Sequence, residues 1–212
     1  MSIPEKDLQD VRNLHEQSLH LQAFNLAQSI CPLPRWEGTE AVLLASHLAY
    51  NLGALKTSVK WTTRAWRNDK KHPRAMFYYA SEILNSKGSL PGLIFLRKQA
   101  ADFQAEGKIL SWWYCLHAGA FSFLRDFTTA DEWHKKAIEA APEEPWVWVS
   151  QAHSLEMQDR YEESLAMSRK AFELKPWQRS SVASLAHILT LSERYDEALE
   201  LLTAAANRLE NA

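Results

Sequence analysis

The side chains with the widest chemical reach in this sequence are two cysteines, Cys31 and Cys115, and eight histidines. Cys115 and His117 make the closest thiol–imidazole combination. A nucleophile and its base must face one another. Two positions on a helix diverge by about 200°, so this pair is a poor one. The two cysteines lack metal-ligand spacing, which points to reduced thiols in an intracellular chain. No G-x-S-x-G, H-E-x-x-H or phosphate-binding loop occurs. Glu143, Glu144, Glu162 and Glu163 fall where helices begin, where a carboxylate favours the helix dipole without any catalytic role. The expectation is a chain with no catalytic centre, no cofactor and no metal site of its own.

A second feature is electrostatic. Lys56, Lys60, Arg64, Arg67 and Lys71 are spaced by four, four, three and four residues, which places them on one stripe of a helix. Such a stripe docks an acidic protein or nucleic-acid phosphates, or it is a solvated convex face. The formal net charge of −2 argues against a polyanion as the main partner.

The elements that position these residues are helices. Leu, Ala, Glu, Lys, Gln, Arg and Ser dominate, glycine occurs six times, and no long run alternates apolar with polar residues. The start, MSIPEKDLQD, is polar and acidic rather than a signal peptide. No apolar stretch reaches the roughly 18 residues that a membrane span needs. A cytoplasmic chain is expected.

The helices recur. DRYEESL at Asp159 returns as ERYDEAL at Glu193, 34 residues on. The aromatics Phe127, Tyr161 and Tyr195 share that register. Small residues follow each at +3, as Ala130, Ser164 and Ala198, and again as Ala137, Ala171 and Ala205. Others precede them, as Ala118, Ala152 and Ala186. Small residues repeat where helix axes approach closely, and Pro142 and Pro176 close two of the units. Upstream, Ser46, Gly53, Ser58 and Ala65, then Ala80, Gly92 and Leu96, continue the pattern. Four extra residues enter around DFQAEGKI.

This arrangement resembles the tetratricopeptide repeat family, whose period is 34 residues. The best copy is EEPWVWVSQAHSLEMQDRYEESLAMSRKAFELKP, with Trp148, Ala152, Tyr161, Ala171 and Pro176 in place and Ser164 where alanine is usual. The expected fold is all-α, a right-handed superhelical solenoid of about six antiparallel helix pairs in a single array, 1–212. Its approximate repeats are 4–37, 39–72, 73–106, 111–144, 145–178 and 179–212.

The resemblance implies that the first helix of each pair lines a concave groove, and that the groove binds a protein or peptide segment. The groove side chains are then Leu43, His47 and Tyr50; Phe77, Ser81 and Asn85; Trp112, Cys115 and Gly119; Val149, His153 and Glu156; and Ala183, His187 and Thr190. Arg74 and Trp146 stand at the mouths of two units. His47, His153 and His187 share one offset, as polar readers along the groove or as solvated histidines. His47 is too many units away for the three to share an ion. Co-chaperone members of the family clamp a terminal carboxylate with paired lysine, asparagine and arginine. Asn51 and Asn85 are here without such a cationic set, which argues against that ligand. Of the nine tryptophans, Trp112 and Trp146 are the expected ligand contacts.

The chain closes on LLTAAANRLENA, leaving Leu199, Leu202, Ala206 and Leu209 with no following unit to cover them. That face is open to self-association, or to the rest of a longer protein. The leading expectation is an interaction scaffold. The alternatives are a substrate-recruiting domain of a larger enzyme, and nucleic-acid or acidic-partner binding through the basic stripe.

Overall fold

The computed structural model describes the backbone of residues 3–210 and the side chains of residues 3–208. Among these residues there are twelve α-helices, one 3-10 turn and no strand. In chain order α1 (Glu5–Glu16) packs with α2 (His20–Ile30) and α3 (Thr39–Asn51) with α4 (Leu55–Asn68), and α5 (Pro73–Lys87) and α6 (Ser89–Gln99) follow. The remaining pairs are α7 (Gly107–Phe123) with α8 (Phe127–Ala140), α9 (Pro145–Glu156) with α10 (Tyr161–Leu174), and α11 (Arg179–Leu191) with α12 (Tyr195–Glu210). Among the described residues no helix is long and apolar enough to cross a membrane.

The hairpins share one device. Ser18, Gly53, Arg125, Asp159 and Glu193 each adopt a left-handed conformation, with φ between 59° and 82°. The residue after each returns its amide to the carbonyl five positions back, as Ala54 does to Ala49 at 2.8 Å and Arg194 to Leu189 at 2.9 Å. This Schellman closure satisfies carbonyls that the ending helix leaves orphaned and turns the chain back at once. The echo at Asp159 and Glu193 is therefore a turn signal. Arg160 and Arg194 each pair with the glutamate three residues on, Glu163 and Glu197.

The small residues sit where the repeat places them. Ala118, Ala130, Ala137, Ala152 and Ala171 are buried, so helix axes approach closely there. At Gly92 a Cβ would stand 2.1 Å from Leu84 Cδ2. Ser164 is a polar joint, its Oγ donating to the Ala152 carbonyl at 2.8 Å. Ser46 meets Ser58 at 3.0 Å and Thr62 at 2.8 Å in the same manner. Tyr195 is 59 % exposed and Tyr161 37 %. Both are the first residues of their helices, and Tyr161 donates its hydroxyl to Asp159 at 3.1 Å.

The chain divides into two compact units, Met1–Glu82 and Ile83–Ala212. In the first, the core gathers Leu8, Val11, Ala23, Ala27, Trp36 and Leu48. In the second, α7, α9 and α11 lie side by side while α8 and α10 pack behind them. Leu165, Leu185, Ile188 and Leu189 form the joint between the last two pairs, each contributing roughly 1.5–3 kcal/mol by leaving water. The four extra residues appear as one added turn at the start of α7: it begins at Gly107, eleven residues before Ala118, whereas α9 begins at Pro145, seven before Ala152. Leu199 is 66 % exposed and Leu202 48 %. The Leu209 side chain lies outside the described residues.

Candidate interaction surface

In the second unit the first helices present a row of exposed side chains. Phe123 at the end of α7 is 62 % exposed, and its ring centre lies 5.8 Å from that of His153 on α9. His153 Nδ1 stands 3.4 Å from Glu156 Oε2, and His187 Nε2 on α11 stands 3.0 Å from Glu156 Oε1. One carboxylate thus joins two histidines of adjacent pairs. Trp146, 38 % exposed, opens the same face of α9. Ala183 and Thr190 are exposed on α11, and Val149 is half-buried on α9. Trp112 is half-buried, with the Lys108 ammonium 4.8 Å from its ring centre. Its neighbour Trp113 is the packing member, stacked on Phe103 at 4.0 Å.

Cys115 does not belong to this surface. It is 4 % exposed among Ala137 and Val147, and burial pushes its thiol up to about 12. The outward stripe of α7 is Trp112, Leu116, Gly119 and Phe123, which keeps the expected Trp112 and Gly119 and has Leu116 in place of Cys115. A space of 4, 3 and 4 residues marks that stripe in the sequence. His117, the other member of the expected poor pair, stacks on Trp133 at 4.2 Å and contacts the Trp113 carbonyl through Nδ1 at 3.1 Å.

In the first unit the expected groove residues separate. Tyr50 is exposed, Ser81 half-buried, and Leu43 and Phe77 are core residues. Asn85, which falls in the second unit, is exposed. His47 is no counterpart of His153 and His187. It lies between His15, with ring centres 5.9 Å apart, and Tyr78, at 4.3 Å. Its Nε2 is enclosed without a hydrogen-bond partner. Burial, then the nearby His15 and Arg74 charges, lowers its pKa to about 3. His15 is lowered to about 4 by burial first and by His20, and its Nε2 meets Asn51 Nδ2 at 3.1 Å. Arg74 is engaged by Glu40 at 2.8 Å, as are His72 at 3.1 Å and Arg12 at 3.5 Å.

The basic stripe is also reduced. Lys56, Lys60, Arg67 and Lys71 are exposed. Arg64 instead donates to the Pro34 carbonyl at 3.0 Å and to the Trp36 carbonyl, clamping the segment that leads into α3. Its target lies 28 to 30 residues away, beyond what helical spacing reveals.

Comparison with known proteins places the fold. No family model matches the chain, and no curated protein matches it in sequence. Solved structures do match. A human IFIT1 dimer with PPP-AAAA aligns with a TM-score of 0.63 at 13 % identity, over 88 % of this chain and 46 % of that one. The APC/C hetero-tetramer Cut9-Hcn1 gives 0.60 at 13 % identity, over 92 % and 38 %. The MamA RS-1 ArsTM double mutant gives 0.50 at 12 % identity, over 82 % and 95 %. All three contain tetratricopeptide repeats.

The fold is tetratricopeptide-repeat-like. At these identities the likeness is one of backbone architecture. This TPR-like chain spans less than half of the IFIT1 and Cut9-Hcn1 chains it matches. Among its described residues no three His, Cys, Asp or Glu side chains are grouped to hold a metal ion.

Proposed function

We propose that this chain is a protein-interaction scaffold, and that the first-helix face of its second unit takes a protein or peptide segment. The row from Phe123 through His153 and Glu156 to His187 carries this reading, because it crosses the first helices of three successive pairs with exposed aromatic and imidazole side chains. Phe123 and Trp146 supply apolar anchors, and Trp in particular is enriched at binding hot spots. The imidazoles and the carboxylate between them supply donors and an acceptor for a partner's main chain. The Cut9-Hcn1 match is itself part of a hetero-tetramer, the kind of role assigned here.

The test compares the wild-type chain with a Phe123→Ala, Trp146→Ala, His153→Ala variant. Both are used to capture partners from the native host, with identification by mass spectrometry and with circular dichroism to check folding. At least one partner is expected to be lost from a folded variant. Equal retention of every partner by both forms rejects the face.

A second reading rests on Lys56, Lys60, Arg67 and Lys71, which stay exposed on or beside α4. They suit an acidic partner, whose affinity would fall steeply with added salt. Lys56→Glu with Lys60→Glu tests this surface and leaves the structural Arg64 in place.

A further inference from the structure

We propose that the second unit carries a separate pocket, on its second-helix side, that receives a lysine or arginine side chain from a basic partner segment. α10 and α12 leave a cavity of about 370 Å³ above α11. Its apolar lining comes from Phe172, Leu185, Leu189 and Leu201. The Trp177 indole forms a wall, held edge to face against Phe172 with ring centres 5.4 Å apart and planes at 80°. Cavities of this size, mostly apolar with a few placed polar groups, are the usual form of a binding site.

The polar groups at the cavity determine what enters. Glu173, Glu197 and Glu200 line it, against a single lining cation, Arg169. Arg169 is committed to Glu197 at 3.1 Å, and Arg194 takes the same carboxylate. Among the described residues no cation pairs with Glu173 or Glu200. Two uncompensated carboxylates beside an indole face favour a positive charge. The chain itself shows that the indole accepts one, since the Arg208 guanidinium lies 5.4 Å from the Trp177 ring centre. An apolar lining with an acidic edge matches a side chain that buries a methylene stem and keeps a charged head near water.

The backbone supplies a separate indication. Trp177 has φ 69°, a left-handed conformation that a bulky L-residue adopts only at an energetic cost. The other non-glycine residues with positive φ sit inside helix hairpins, whereas Trp177 lies between one pair and the next. Strain of this kind is retained where a side chain must be aimed. The pocket is also peculiar to this place. One repeat earlier, the positions of Phe172, Trp177 and Glu200 hold Ile138, Glu143 and Ala166, so neither the aromatic corner nor the acidic pair recurs.

The experiment uses the full chain and a blocked Leu-Arg-Leu-Arg peptide, with citrulline replacing arginine as a control of the same shape without charge. Binding is read from the Trp177 indole N–H resonance. The arginine peptide is expected to shift it, and the citrulline peptide to bind about tenfold more weakly. Glu173→Gln with Glu200→Gln is expected to weaken the arginine peptide at least about fivefold. Arg208→Ala is expected to tighten it, because an internal competitor is removed. Trp177→Gly relieves the backbone strain and so keeps the fold while removing the wall; shifts at Leu201 and Leu189 should disappear with it. Equal binding of both peptides overturns the proposal, as does unchanged binding to the double glutamine variant. Sedimentation showing a dimer, with no peptide shift, would assign the cavity to a second copy instead and also overturn it.

Discussion

The carboxylate of Glu156 on α9 accepts a hydrogen bond from Nε2 of His187 on α11 at 3.0 Å, spanning two helix pairs. The contact is solvent-facing, with the His187 side chain 56 % exposed. An exposed pair of this kind adds little to stability. Glu156→Gln should therefore change the unfolding free energy by less than about 1 kcal/mol at neutral pH. Urea melts decide the point, and a loss above about 2 kcal/mol would make Glu156 a structural strut.

His134 is fully buried and neither ring nitrogen has a hydrogen-bond partner. Burial lowers its pKa to about 4. The same repeat position holds Thr62 and Ser168, whose hydroxyls bond those of Ser46 and Ser184. An unsatisfied buried polar group costs about 1–3 kcal/mol. His134→Leu, similar in volume, should raise stability by roughly 1–2 kcal/mol in thermal or urea unfolding. A decrease would show that the imidazole is held by something the apolar side chain cannot replace.

Acid should weaken the first unit through two of its histidines. His15 and His47 have folded pKa values of about 4 and about 3, below the ordinary 6.5 of the unfolded chain. Below pH 6.5 the unfolded chain binds protons that the fold excludes. Stability is thus complete above that pH, falls as pH drops, and stops falling on this account only near the folded values. The slope is at most about 1.4 kcal/mol per pH unit for each such group. Denaturant melts between pH 7.5 and 5 should show the decline, with a shallower one for His47→Leu. An identical pH profile for that variant sinks the assignment.

Glu193 pays for its left-handed φ of 59° without a glycine's freedom. Glu193→Gly should stabilise the chain by about 0.5–1 kcal/mol after the greater entropy of the unfolded glycine is counted. Asp159→Gly gives less, since it removes the acceptor of the Tyr161 hydroxyl. Differential scanning calorimetry checks both. Destabilisation by Glu193→Gly would mean that its side chain has a role the turn does not explain.

Arg64 and Lys60 look alike as members of one stripe, yet they should behave differently. Arg64→Ala removes two charge-assisted bonds to the Pro34 and Trp36 carbonyls and should cost about 1–3 kcal/mol. Lys60→Ala, at an exposed site, should fall within about 0.5 kcal/mol of zero. Similar costs for the two would dissolve the distinction.

What the sequence by itself determined is the architecture. Helix periodicity, turn residues and the small side chains of close joints are local signals, and a repeat states each of them several times. Ala118, Ala152 and Ala186 predict their own burial because the joint between paired helices is built the same way each time. The tertiary structure decided which similar residues differ in role. His47 and His187 occupy one offset, but His47 meets His15 and Tyr78 and has its Nε2 enclosed, whereas His187 meets the Glu156 carboxylate and is exposed. On α7 the outward stripe runs through Leu116 and Phe123 and leaves out Cys115. Arg64 found carbonyls in another segment, and Trp177 met Phe172 over a cavity bounded by three helices. Such outcomes depend on contacts between residues distant in the chain, whose geometry is set when helices pack and not by the spacing along any one of them.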